Sequence, residues 1–105
     1  MSGKVQGEHD ALLRAKINQE TSTAPWRELQ RFFAQGSAVF VDRSLDLVEV
    51  GFAMSRDRRD LFQAWMRDGR VALVSDQQAR DWIADDVVLW TVVVKPWVLV
   101  QELEE

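Results

Sequence analysis

Three arginines, Arg56, Arg58 and Arg59, surround the point where a helix is expected to begin, and no other group in this chain of 105 residues looks as much like a site. Positive side chains there oppose the helix macrodipole, so they call for another reason to be present. Together with free backbone N–H groups, guanidinium groups form an anion site. Parallel strands present ligands beyond their carboxyl ends, where Ser55, Arg56, Ser75 and Asp76 should gather. Asp57 and Asp60 lie in the same stretch and offer the arginines ordinary partners instead. Two readings stand: a ligand-binding cluster of Ser55, Arg56, Arg58, Arg59 and Ser75, or a solvated surface whose charges pair among themselves.

Carboxylates are the remaining groups capable of chemistry. Asp42 and Asp46 flank an expected turn, Glu49 sits in an expected strand, and Asp85 and Asp86 precede another strand. Two carboxylates at a suitable separation hold a magnesium ion or divide acid and base work, but turns and caps select aspartate for their own reasons. Glu49 joins the ligand-binding candidates because its expected neighbours on one strand face are Leu45, Leu47, Gly51 and Ala53, and partial cover would raise its pKa. The single histidine, His9, falls in an expected tail without a fixed partner, and there is no cysteine. No catalytic residue, metal site or cofactor is therefore expected, and nothing resembles a phosphate loop, a dinucleotide fingerprint or a nucleophile elbow.

Apolar residues at 47% and charged residues at 29% describe an ordinary globular chain, and the absence of cysteine removes disulfides and thiolate sites together. A net charge of −4 disfavours a phosphate backbone as partner, so nucleic acid is not expected. Five tryptophans invite base stacking, but Trp26, Trp65, Trp82 and Trp90 occupy core-type positions; Trp97 is the exception. The first residues, MSGKVQGEHD, lack the apolar core of a signal peptide, which suits the cytoplasm. A membrane span is not expected either, because Lys95 and Pro96 divide the longest apolar run and about 20 apolar residues are needed.

The elements that must position these groups follow from spacing. Residues 1–9 read as a flexible tail, and Leu13 and Ile17 recur at helical spacing after Asp10, giving a first helix to about Glu20. A polar break at 21–24 precedes a second helix opened by Pro25, with Trp26, Leu29, Phe32 and Phe33 on its apolar face and Gly36 as its stop. Residues 38–42 and 46–54 have strand composition and a short DRSL link, which predicts a β-hairpin. A third helix runs over 57–68 with Leu61, Phe62, Trp65 and Met66 inward and Gly69 as its stop. VALV at 71–74 is a strand, Ser75 to Gln78 fit a capping box, and a fourth helix places Ala79, Trp82 and Ile83 on one face.

Residues 87–101, VVLWTVVVKPWVLVQ, would span roughly 50 Å as one strand, far more than a compact domain with a radius of gyration of about 13 Å accommodates. The run breaks at Lys95–Pro96. Val87 to Val94 read as a central strand covered on both faces, and Trp97, Val98, Leu99 and Val100 as the outermost strand. An apolar edge strand of that composition demands cover or a partner, which points to a symmetric homodimer through those four residues.

The segments LLRAKINQET, PWRELQRFFAQG, LDLVEV, the WM-x-x-G step and LW-x-VVV-x-PWVLVQ resemble a family of small bacterial proteins known as domain of unknown function 2288, over Leu12 to Gln101. The resemblance implies a bacterial, cytoplasmic, single-domain protein and carries over no activity, cofactor or catalytic residue. The expected architecture is α+β: one globular domain over 10–101 with an acidic tail at 102–105, built as one mixed sheet of four to five strands with an N-terminal helix pair, a β-hairpin, two right-handed βα crossovers with parallel strands, and a C-terminal apolar strand. The expected function is a noncatalytic protein-interaction or regulatory module, with a homodimer or another protein as partner. The competing expectation is a small-ligand or anion-binding domain using the arginines near Arg56.

Overall fold

Helical backbone begins far earlier than the periodicity alone requires. The computed structural model describes residues 2–103, and the side chains of residues 7–103; its first element, α1, runs Ser2–Glu20. The helix thus includes the stretch 2–9 read from sequence as a tail, while residue 1 lies outside the described residues. It anchors through its last turns: Ile17 is buried and Leu13 packs against the same cluster. Next comes β1, Ser22–Pro25, in place of the expected polar break. Its sequence STAP has little strand character, and its conformation comes from pairing with a later strand. A single 3-10 turn, Trp26–Glu28, and the short α2, Gln30–Ala34, replace the continuous second helix.

Strand β2, Ala38–Val41, forms as expected, but the expected hairpin partner is a helix, α3, Leu47–Ser55. The reason is local. Asp46 caps the helix, its carboxylate accepting from the N–H of Val48 at 2.9 Å and of Glu49 at 3.4 Å. The buried positions Leu47, Val50 and Gly51 recur at helical spacing, a pattern hidden because nearly every residue in the segment is apolar and period two fits as well. A Cβ on Gly51 would stand 3.2 Å from Ile17 Cγ2, so the bare glycine backbone sets how closely α3 meets α1.

Helix α4, Arg59–Arg67, and strand β3, Val71–Leu73, match expectation, with Gly69 at φ +75° ending the helix. Helix α5, Asp76–Ala84, opens on the expected capping box: Ser75 Oγ accepts from the N–H of Gln78 at 3.1 Å, and Gln78 Oε1 accepts from the N–H of Ser75 at 3.0 Å. Ser75→Ala should therefore cost about 0.5–2 kcal/mol in urea denaturation; an unchanged midpoint would show that the cap contributes nothing.

The chain ends in an antiparallel hairpin of β4, Val88–Val94, and β5, Trp97–Glu102, turning at Lys95–Pro96 as the sequence requires. The sheet order is β1-β4-β5-β2-β3, with β5 parallel to β2 and every other pair antiparallel. The α+β class with one mixed five-stranded sheet stands. The two parallel βα crossovers do not: β2 and β3 are joined through α3 and α4 yet lie side by side antiparallel, and β3 does not pair with β4.

The largest correction concerns Trp97, Val98, Leu99 and Val100. They are not the edge but the middle of the sheet, because β2 pairs along the side of β5 that its hairpin with β4 leaves open. Val98, Leu99 and Val100 are fully buried in succession, which is the mark of a strand covered on both faces; Trp97 keeps 37% exposure. Strand β4, expected to be the doubly covered one, instead exposes Val88, Trp90 and Val93. The acidic end is described through Leu103: Glu102 closes β5, and residues 104 and 105 lie outside the described residues.

Alternate residues of the sheet feed two cores. On one face Val39, Val71, Val92 and Leu99 meet Ile17 of α1 and Leu47 and Val50 of α3. On the other, Ala38, Leu89, Val98 and Val100 meet Trp26, Leu29 and Trp82. Gln101 ties down the link between β2 and α3 by donating to the carbonyls of Asp42 at 3.0 Å and Leu45 at 2.8 Å.

Candidate functional site

The arginines do not converge. Arg56, at the end of α3, turns to α1 and pairs with Asp10. Arg58 grips Asp60 with two hydrogen bonds, Nε at 3.1 Å and Nη2 at 2.9 Å, and Arg59 lies 3.6 Å from Asp57. The hydrogen-bonded guanidinium of Arg58 holds the Asp60 carboxyl below its ordinary 3.8, and that carboxylate raises the pKa of Arg58 in return. Each arginine thus has its own carboxylate, as the paired reading anticipates. Ser55 Oγ donates back to the Gly51 carbonyl at 3.1 Å, and Ser75 is occupied by its cap.

Glu49 is not the half-covered strand residue of the sequence reading, because its segment is helical and it faces outward. Its carboxylate accepts from Arg14 Nε at 2.9 and 3.2 Å, with both side chains more than 40% exposed. Arg14 also lies over the Phe52 ring at 4.0 Å, and Arg56 over the same ring at 5.6 Å. Asp10, Arg14, Glu49, Phe52 and Arg56 therefore form a clasp between α1 and α3. Exposed ion pairs and cation–π contacts of this sort contribute up to about 1 kcal/mol each. The other aspartates serve turns and ends: Asp42 accepts from the N–H of Ser44 at 2.9 Å, Asp46 caps α3, and Asp86 pairs with Arg27 at 2.6 Å. Hydrogen bonds from Ser44, through its hydroxyl and then its backbone N–H, hold the Asp42 carboxyl below its ordinary 3.8. Among the described residues no group of three His, Cys, Asp or Glu could hold a metal ion.

What the structure does assemble is a groove of about 450 Å³ on the face that carries α3 and α4. Its floor is sheet: Val39, Val71, Leu73 and Trp97. Its wall is α4, through Phe62 and Met66, and Asp57, Arg59 and Gln63 stand at its rim. The lining is apolar, and three of its large side chains are open to solvent, Met66 at 59%, Leu73 at 56% and Trp97 at 37%. Helix α4 explains the opening. Leu61, Phe62, Trp65 and Met66 give it an apolar face, yet it buries no residue completely. Only one member of the arginine group, Arg59, reaches this site, and only Trp97 of the four expected interface residues does. The groove draws on α3, α4, β2, β3 and β5, so no contiguous stretch encodes it. The available clue was an amphipathic helix with more apolar surface than a short three-residue strand can cover.

A second hollow, about 520 Å³, lies on the opposite face between Trp26, Phe33 and α5, where Arg80 and Asp76 line it. Trp26 Nε1 is buried without a hydrogen-bond partner, and the ring packs edge-on against Trp82 at 5.1 Å and Phe33 at 5.8 Å.

Residues 12–102 match the family model described as "Protein of unknown function (DUF2288)". The chain belongs to the DUF2288 family. That assignment confirms the resemblance read from the five sequence segments. The fold recurs in the NMR solution structure of PA1075 from Pseudomonas aeruginosa, which is 45% identical and superimposes with a TM-score of 0.79, covering 90% of this chain and 87% of that one. Among curated proteins none matches the chain. No helix among the described residues of this DUF2288 protein is long and apolar enough to cross a membrane.

Proposed function

We propose that this DUF2288 protein is a noncatalytic interaction module whose groove beside α4 receives an apolar segment of a partner protein. The observation that carries this reading is the incomplete burial of α4: an amphipathic helix leaves Met66 exposed directly beside exposed Leu73 and Trp97. A volume of about 450 Å³ falls within the range of ordinary ligand sites, and an apolar lining with a few polar groups at the rim is their usual composition. Met54 and Met66 add side chains that reshape around different occupants. The competing reading, a small-ligand or anion site at Arg56 and its neighbours, is supported less well because each arginine already has a carboxylate partner.

The two readings separate in one titration, with the methyl resonances of Met54 and Met66 and the Nε resonances of Arg56, Arg58 and Arg59 followed by NMR. The apolar probe anilinonaphthalene sulfonate should move both methyl signals, and Met66→Glu should weaken its binding about tenfold or more, since one tenfold step is about 1.4 kcal/mol. Inorganic phosphate should leave the arginine signals in place. Methyl signals indifferent to the dye, with arginine signals that follow phosphate, would transfer the function to the anion site.

A further inference from the structure

We infer that the partner seated at this groove is a second copy of the chain, joined antiparallel through the free edge of β3; the inference rests on the groove being an interaction surface. In the antiparallel pair of β2 and β3, Val39 faces Leu73, Phe40 faces Ala72 and Val41 faces Val71. The same ladder continues at both ends, where Asp42 N–H donates to the Arg70 carbonyl at 2.8 Å and Val74 N–H donates to the Ala38 carbonyl at 3.0 Å. Bonded and non-bonded pairs alternate along such a ladder. Residues 70, 72 and 74 therefore turn their backbone groups toward β2, and Val71 and Leu73 turn theirs away from it. Strand β3 is last in the sheet, so those two N–H and two C=O groups face an open edge.

The opposite edge is built differently. Trp26 N–H donates to the Val87 carbonyl at 2.9 Å, which by the same alternation leaves Thr23 and Pro25 of β1 facing outward. Pro25 has no N–H to offer, the usual way to close an edge. Strand β3 has no proline, and its sequence is Val-Ala-Leu.

Three features favour self-pairing over an unrelated strand. A twofold axis beside Ala72 sets Val71 against Leu73 of the second copy and Leu73 against its Val71, so that both outward N–H and both outward C=O groups of each strand are used. Ala72 meets its own copy at the axis, in a non-bonded pair where Cα atoms approach to about 4.5 Å. The charges also complement one another. The flank before β3 carries Arg67, Asp68 and Arg70, one net positive charge, and the flank after it carries Asp76, one negative charge. With Arg70 held by Asp68 of its own chain at 3.1 Å, the charge left on that flank is Arg67, and antiparallel pairing brings it next to Asp76 of the other copy, whereas a parallel partner of the same sequence would oppose like charges. On the groove side the arrangement brings Leu73 and Met66 of both copies together and covers the two most exposed apolar residues of the site. The result is one continuous ten-stranded sheet with an isologous interface.

The test is light scattering behind a sizing column on the full chain, from low micromolar to millimolar concentration. Wild type should pass from monomer to dimer. Leu73→Pro deletes an outward N–H that the monomer's own ladder does not use, and should keep the far-ultraviolet dichroism while raising the dimer dissociation constant about tenfold or more, because two hydrogen bonds are lost per dimer. Thr23→Pro on the opposite edge should leave dimerisation unchanged. A wild type that stays monomeric, a Leu73→Pro variant that dimerises normally, or equal losses in both proline variants would each overturn self-pairing. Should Leu73→Pro fail to fold, hydrogen exchange in the wild type decides: protection of the Val71 and Leu73 amides must rise with protein concentration, and flat protection overturns the inference. Dye binding to the monomer separates the two claims, since a groove that takes the dye in a chain that never dimerises retains the interaction reading and loses only the second copy.

Discussion

Val100→Lys should abolish cooperative folding, whereas Val93→Lys, seven residues earlier in the same hairpin, should shift stability by no more than about 0.5 kcal/mol. Val100 is fully buried, held between Thr91 of β4 and Phe40 of β2, and packed in the cluster that contains Trp26, Leu89 and Val98. Among the described residues Thr91 is the one buried polar or charged side chain, so a lysine ammonium at position 100 would be an uncompensated buried charge, which costs several kcal/mol beyond the lost valine packing. A domain of this size has a total stability of about 5–15 kcal/mol, and the substitution consumes much of it. Val93 is 51% exposed and carries no such penalty. Urea denaturation followed by tryptophan fluorescence and circular dichroism reads both variants. A Val100→Lys protein unfolding within about 1 kcal/mol of wild type would return β5 to the sheet edge, where a lysine is harmless.

The second large effect lies in the aromatic cluster beneath α5. Trp26 is 1% exposed and meets Trp82 and Phe33 edge-on, and Phe40 extends the cluster beyond Trp82. Trp26→Ala should cost about 3–5 kcal/mol through lost burial and the cavity that remains. Trp26→Phe should cost less than half of that. Its ring keeps most of the edge-on packing, and the indole N–H it removes has no hydrogen-bond partner to lose. Equal costs for the two replacements would mean that the N–H does have a partner and that the packing account is wrong.

The substitutions at Val100 and at Trp26 probe the places where local sequence signals and the fold agree least and most. Trp26 and Trp82 read as core residues from their neighbours and are core residues. Lys95–Pro96 read as a break and is the turn between β4 and β5. Ser75 and Gln78 read as a capping box and form both of its hydrogen bonds. Each of these signals acts within a few residues, so the chain carries it whatever the distant partners are. Met66 was expected to point inward and Ile83 to share the face of Trp82, yet they stand 59% and 43% exposed, because amphipathic spacing gives the direction of a face and not the amount of protein that covers it.

The segment 47–55 shows why a local rule fails. Leu47, Val48, Val50, Phe52, Ala53 and Met54 fill both strand and helix faces, and β-branched residues argue for a strand. The Asp46 cap and the close fit of Gly51 to Ile17 decide for a helix. Glu49 changed its meaning with its segment, from a half-covered carboxylate on a strand to an exposed partner of Arg14. The arginine group was legible as charge but not as geometry, since Arg56 turns to Asp10, 46 residues earlier in the chain.

By itself, the sequence determined an α+β chain, the helix stops at Gly36 and Gly69, the capping box of Ser75 and Gln78, and the break at Lys95–Pro96, because periodicity and capping are properties of neighbouring residues. Only the tertiary structure decided the strand order. Pairing β2 beside β5 turned Trp97 to Val100 from an expected edge into the centre of the sheet and moved the open edge to β3. That choice depends on which distant apolar surfaces bury each other best, and it also created the groove, whose lining converges from five separate elements.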